Sequence, residues 1–291
     1  MTVFVLHENP DWYPPFAAAF DAEGVAHEQW LLGDGSLDLT EEPPPGVFWS
    51  RMSASSHTRG HGLAKDHTRA VLAWLEAAGR RVVNGRRVLE LEMSKVEQLA
   101  ALRAAGFDVP RTFAVVGSGD LLAAAGKLGA PFVVKPNQGG KGLGVARFDS
   151  VEELAGHEPE SPDGITLVQE YVRPAEPFIT RVEIVGGEFV YAIRADVARG
   201  GFELCPADAC AVDDTPLFSL REDLDMSIVD RYREFAAARG IEIAGFEFIE
   251  SADGRLVTYD INTNTNYNPD IEAVAPRSGP RMIARFLGKE V

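Results

Sequence analysis

Two acids near the end of this 291-residue chain constrain its folding more than any other feature. They lie in Glu247-Phe-Ile-Glu-Ser-Ala-Asp-Gly-Arg-Leu-Val-Thr-Tyr-Asp260-Ile-Asn262. Asp253-Gly254 reads as a two-residue hairpin turn, because a type I′ turn needs positive φ at both central residues. Folding about that turn sets Glu247 opposite Asp260, and Asn262, two residues on, shares their face. Cβ atoms of opposed residues are only about 4.5–5.5 Å apart, and like charges there repel. A hard divalent cation removes the conflict, and Mg²⁺ takes such oxygen ligands, often shared with substrate phosphates. The competing reading is a solvent-facing polar hairpin, since structural ion networks also gather acids.

The charge balance narrows the partners. The net charge is −16, from 28 basic and 44 acidic residues. A duplex-binding or anionic-membrane surface needs a basic patch, so neither nucleic acid nor membrane is an expected partner. No run approaches the roughly 18 apolar residues of a membrane span. The apolar start at 2–6 reads as a strand rather than a signal peptide, so the expected location is the cytoplasm. Cys205 and Cys210 read as reduced thiols. His57 and His61 have i,i+4 spacing but no intervening Glu, which favours loop hydrogen bonding over a metal.

Strand and helix signals alternate up to about residue 90 and predict a small α/β unit with a parallel sheet. Val47-Phe-Trp49 is a strand, Ala64–Arg81 an amphipathic helix and Arg81–Asn84 another strand. Ser94-Lys-Val-Glu97 is a capping box that opens a helix running to Gly106. Strands at Thr112–Val116, Phe132–Lys135 and Val145–Phe148 follow, with a helix at Asp120–Leu128. From about residue 165 the chain is β-rich, apart from helices at Ser227–Arg239 and Pro280–Leu287. The expected units are residues 1–92, 93–169 and 170–291.

Pro131–Val145 holds glycines at 139, 140, 142 and 144, which let the backbone aim N–H groups at an anion. The Rossmann spacing fails, and so does Walker A, because Gly142 follows Lys141. What fits is a flexible loop between two strands, with Lys135 at the end of the first able to meet phosphate as a point charge; the competing reading is a mobile glycine-rich hairpin loop with no ligand. A second hairpin, about Gly186-Gly187, sets Arg181 opposite Ala192, with Arg194 diagonal on the same face. Two converging guanidiniums suit phosphate or a developing oxyanion. Arg51 and Ser53 follow the strand Val47–Trp49 at its C-terminal end, where open α/β sheets bind ligands. Asn262, Asn264, Asn266 and Asn268 alternate, so their amides share one face and could orient an acceptor.

Taken together, Ser94-Lys95, the Phe132–Val145 segment, Val168-Gln-Glu-Tyr-Val172, Arg181, Arg194, Gly245-Phe-Glu247 and Asp260-Ile-Asn262 resemble the ATP-grasp superfamily, specifically its RimK-like glutamate ligase branch. The resemblance covers roughly 45–270 of the sequence. It implies an N-terminal pre-ATP-grasp α/β domain and two α+β subdomains that sandwich ATP. It also implies that Lys95 and Lys135 contact the phosphates and that the Gly139–Gly144 loop, with Lys141, closes over them. Gln169, Glu170 and Val172 would hold adenine. Glu247, Asp260 and Asn262 would hold two Mg²⁺, with Mn²⁺ able to substitute. Relatives often carry an acid two residues before the arginine matching Arg181. Here that residue is Ile179, and Glu176 is the nearest substitute for a ribose contact.

The activity so implied is an ATP-dependent carboxylate–amine ligase that works through an acyl phosphate, on an amino acid, peptide or small metabolite. Arg181 and Arg194 would stabilise the transition state, while Arg51, Ser53, Asn264 and Asn266 would contact substrate. A phosphotransferase on the same site, or a non-catalytic ATP-binding regulator, are the alternatives. A homo-oligomer is compatible with all three readings.

Overall fold

The computed structural model describes residues 1–117, 119–201 and 216–291; Cys205 and Cys210 lie outside them. Strands β1 (Thr2–His7), β2 (His27–Leu31), β3 (Gly46–Ser50) and β4 (Arg81–Val83) form a parallel sheet in the order β2-β1-β3-β4. Helices α1 (Pro14–Glu23) and α2 (Ala64–Ala77) supply crossovers that parallel strands require. The two faces of this sheet feed separate cores. Val3, Val5 and Trp49 enter one, while Phe4, Leu6 and Phe48 enter the other.

Next come α3 (Arg86–Met93) and α4 (Lys95–Ala104). The sequence reading has no helix at α3, whose buried Val88, Leu89, Leu91 and Met93 are interleaved with charges. Ser94 separates the two helices and caps the second. Its Oγ accepts the Glu97 N–H at 3.2 Å, as the capping signal predicts.

A second sheet, antiparallel throughout, runs in the order β5-β8-β6-β7. Its strands are β5 (Thr112–Val116), β6 (Phe132–Pro136), β7 (Ala146–Phe148) and β8 (Ile165–Glu170), and α5 (Leu121–Leu128) packs on it. The glycine loop joins β6 to β7.

The third sheet holds β9 (Phe178–Val185), β10 (Glu188–Asp196), β11 (Phe218–Leu220), β12 (Ile243–Glu250) and β13 (Leu256–Asn262), in the order β11-β10-β9-β12-β13. The short helix α6 (Val197–Gly200) follows β10. On one face, α7 (Met226–Arg239) brings Tyr232 and Phe235 against Phe246 and Phe248. After α8 (Pro269–Val274), helix α9 (Gly279–Glu290) returns to the first sheet. Its Ile283 and Leu287 share a core with Val3, Phe20 and Trp49. Among the described residues no helix is long and apolar enough to cross a membrane.

Both predicted hairpins form, but neither keeps simple pairing. In β12–β13 the turn is not type I′, because Asp253 does not take positive φ and Gly254 alone does (φ 87°). Ser251 N–H bonds Arg255 O at 2.9 Å and closes a three-residue loop, which fits a turn ending in a left-handed glycine. That extra residue offsets the pairing, so that Glu250 faces Leu256. A bulge at Tyr259 offsets it back, and Glu247 faces Asp260 as expected. In β9–β10 the two-residue turn does form, with Val185 facing Glu188. A shift between Phe189 and Ala192 then sets Arg181 opposite Ile193 and Arg194 opposite Thr180. A one-residue slip sends a side chain to the other face, so Arg194 does not share the face of Arg181.

Candidate active site

One cleft of about 390 Å³ lies between the second and third sheets and is also lined by Trp12, Ser53, Ala54 and Ser55 from the loops of the first unit. That volume lies within the usual range for small-molecule sites. Its floor is the β9–β12–β13 face. Asn262 Nδ2 lies 3.1 Å from Glu247 Oε1, and the Tyr259 hydroxyl donates to Glu247 Oε2 at 2.7 Å. The bulge thus turns both Tyr259 and Asp260 onto one glutamate. Burial raises the Glu247 pKa, and Asp260 adds to that rise. Burial opposes ionisation of Asp260 as well, yet Lys95 and Lys135 hold its carboxyl below the usual value.

Two cations balance the acids. Lys95 is the first residue of α4, so the Ser94 cap fixes its position. Its Nζ meets Asp260 Oδ1 at 2.6 Å. Arg181 is fully engaged: Nε donates to Glu183 at 2.5 Å, Nη1 to Glu247 at 3.2 Å and Nη2 to the Thr265 hydroxyl at 2.7 Å. Gly245 makes room for it. A Cβ at that position would meet the guanidinium at 2.6 Å. Glycine in the Gly-Phe-Glu sequence therefore opens a slot beneath the arginine that holds Glu247.

The roof is the β6–β7 loop. Gly139, Gly140, Lys141 and Gly142 line the cleft, while Gly144 (φ 73°) turns the chain against Pro136 outside the lining. Lys141 Nζ lies 5.1 Å from the ring centre of Trp12, and Gln138 Oε1 accepts from Lys65 Nζ at 2.9 Å, so the loop rests on the first unit. Lys135 is buried beneath it. Desolvation, followed by the charge of Lys95, lowers its pKa to about 7. At the far end, Gln169, Glu170, Tyr171 and Val172 border the cleft.

Of the expected substrate residues, Ser53, Asn264 and Asn266 line the cleft. Of the four alternating asparagines, Asn262, Asn264 and Asn266 line the cleft, whereas Asn268 caps α8, its Oδ1 accepting the Asp270 N–H at 2.9 Å; between them Thr263 bonds Glu92 and Thr265 bonds Glu183. Besides Gly144, three expected residues are placed elsewhere. Arg51 is 2% exposed, stacks 4.3 Å from the Phe16 ring centre and donates to Asn266 Oδ1 at 2.8 Å. It is a strut under the cleft, because its side chain turns into the core shared by the first and third sheets. Arg194 sits on the opposite sheet face, paired with Asp223 at 2.7 Å and 4.7 Å from the Phe178 ring centre. Glu176 is exposed in the connection before β9, and Ile179 lines the cleft in place of an acid. Among the lining residues that the sequence reading omitted are Glu92, in the unread α3, and Trp12.

Two carboxylates and an amide suit a hard cation. Among the described residues no group of three or more His, Cys, Asp or Glu side chains is placed to hold a metal. An ion here would therefore complete its shell with phosphate oxygens and water, which is how Mg²⁺ is commonly bound.

No protein-family model matches the chain. A probable alpha-L-glutamate ligase of Serratia proteamaculans is 27% identical over 228 residues, 75% of this chain and 70% of that protein. A ribosomal protein bS6–L-glutamate ligase of Salmonella paratyphi B is 27% identical over 233 residues, again 75% and 70%. Among solved structures, the ATP-grasp ligase PsnB complexed with a minimal precursor gives a TM-score of 0.70 at 18% identity, covering 100% of this chain and 99% of that one. That ligase has also been solved with the minimal precursor, Mg and ADP. The D-cycloserine synthetase DcsG gives 0.68 at 20% identity, covering 99% of each chain.

Proposed function

We propose that this chain, a RimK-like protein with the ATP-grasp fold, is an ATP-dependent carboxylate–amine ligase that forms an amide through an acyl phosphate. The observation that carries the reading is the cleft itself, where Glu247, Asp260 and Asn262 lie below a glycine loop with Lys95 and Lys135 between them. A nucleophilic Ser or Cys has no part in such a reaction. What the reaction needs is positioning and charge neutralisation.

The geometry supports the following roles. The Gln169–Val172 segment, which borders the cleft, would hold adenine, and the N–H groups of the glycine loop would cradle the phosphates and keep water out. Lys95 and Lys135 neutralise the phosphate oxygens. Glu247, Asp260 and Asn262 would hold Mg²⁺, as two ions and with Mn²⁺ able to substitute, and the metal would supply positive charge to the reacting phosphate. Arg181 holds Glu247 in place and would bring its positive charge to the developing oxyanion. The substrate carboxylate would come from an amino acid, a peptide or a small metabolite, and would enter beside Ser53, Asn264 and Asn266.

Phosphate release from ATP and Mg²⁺, measured across a matrix of amino acids and small amines with mass spectrometry of the active wells, tests the proposal. Release that needs two co-substrates, with a product lighter than their sum by one water, is the expected result. Release with a carboxylate alone would point to phosphotransfer.

A further inference from the structure

Glu92 stands in the last turn of α3 and lines the cleft. Four acids line the cleft among the described residues: Glu92, Glu170, Glu247 and Asp260. Three of them are paired, Glu170 with Arg255, Glu247 with Arg181 and Asp260 with Lys95. Among the described residues Glu92 has no ion pair. Its Oε2 is held twice by Thr263, accepting the N–H at 2.7 Å and the hydroxyl at 2.8 Å. Its Oε1 has one long contact, with the Ala54 N–H at 3.5 Å. One oxygen is therefore firmly anchored and the other only loosely held, in a residue that lines the cleft together with Ser53, Ser55, Asn264 and Asn266.

This placement deepens the ligase reading, on which it rests. If adenine and phosphates fill the cleft from the linker to the glycine loop, the amine must arrive beside Ser53 and Glu92. It arrives as an ammonium ion and cannot attack until a proton leaves. We propose that Glu92 is the catalytic base that takes this proton. The freed nitrogen pair then attacks the acyl carbon, a C–N bond forms and the C–O bond to phosphate breaks. The second nitrogen proton goes to the departing phosphate, which leaves as hydrogen phosphate, and Glu92 returns its proton to solvent. Burial raises the pKa of Glu92, which suits a base that must hold a proton briefly. Lys135, the other group suited to exchange a proton near neutrality, lies under the phosphate loop.

Glu92→Gln tests the assignment, because glutamine keeps an oxygen for Thr263 but cannot accept the proton. The probes are the amino acids as carboxylates, with either their own α-amines or hydroxylamine as acceptor. Hydroxylamine is already neutral at pH 7 and needs no base. E92Q should lower kcat for amide formation roughly 100-fold while leaving hydroxamate formation within about threefold of wild type. Retained hydroxamate formation also shows that the variant is folded and still makes the acyl phosphate. Amide formation within about threefold of wild type would overturn the proposal. Loss of hydroxamate and amide in step would also overturn it, because Glu92 would then serve only to hold Thr263. Wild-type protein that makes no hydroxamate would remove the ligase reading itself, and this proposal with it.

Discussion

The two hairpins of the third sheet carry the same kind of irregularity with opposite results. In β12–β13 the loop gains a residue and the bulge at Tyr259 cancels the offset, so Glu247 and Asp260 meet. In β9–β10 the turn is regular and the shift between Phe189 and Ala192 is uncancelled, so Arg194 passes to the α7 face. What matters is the parity of irregularities between the turn and the site, because side chains alternate with a period of two. The cancelled pair builds an acidic centre with Tyr259 as a third contact. The uncancelled one removes one of two expected arginines and leaves Arg181 to serve alone.

Substitutions on the two hairpins test that contrast, and the largest effect belongs to the cancelled pair. Asp260→Asn should lower turnover by on the order of 10³-fold, with an unchanged circular dichroism spectrum; retained turnover would remove Asp260 from the centre. Gly245→Ala comes next. The methyl group must displace the Arg181 guanidinium, and kcat should fall roughly 10- to 100-fold, as for other residues that orient a metal ligand. An unchanged kcat would show that Arg181 need not lie where it does.

A smaller effect comes from Lys135. Its pKa is lowered to about 7 by burial and by Lys95, so the free protein carries the charge below that pH and loses it above. Phosphate binding favours the charged form. ATP affinity should therefore weaken as pH rises above 7, by at most about tenfold per pH unit, and Lys135→Arg should flatten the profile in a binding titration. The smallest effect belongs to the uncancelled hairpin. Arg194→Ala should change kcat/KM by less than about threefold, because an exposed pair with Asp223 contributes little. A large loss there would place Arg194 in the chemistry after all.

The same parity explains how far the sequence could be read. The Glu247–Asp260 pair was legible although the turn type was misread, since two one-residue errors cancelled. The shift in β9–β10 was not legible, because Val190-Tyr191 reads like any regular strand. The glycine loop and the Ser94 cap were legible because both depend on local backbone chemistry. Arg51 shows the limit of reasoning from strand ends: β3 ends beside the cleft, but Phe16 and Asn266 draw the side chain under it. The role of Gly245 depends on a neighbour 64 positions away, Arg181, which no local pattern announces. Glu92 was missed with its helix, whose apolar positions alternate with charge.

The measurement to make is oxygen transfer. A substrate carboxylate labelled with heavy oxygen is turned over with ATP, Mg²⁺ and an amine, and the released phosphate is weighed. An acyl phosphate requires one labelled oxygen to pass from the carboxylate into each phosphate. Unlabelled phosphate alongside amide product would contradict the acyl-phosphate chemistry assigned to this cleft.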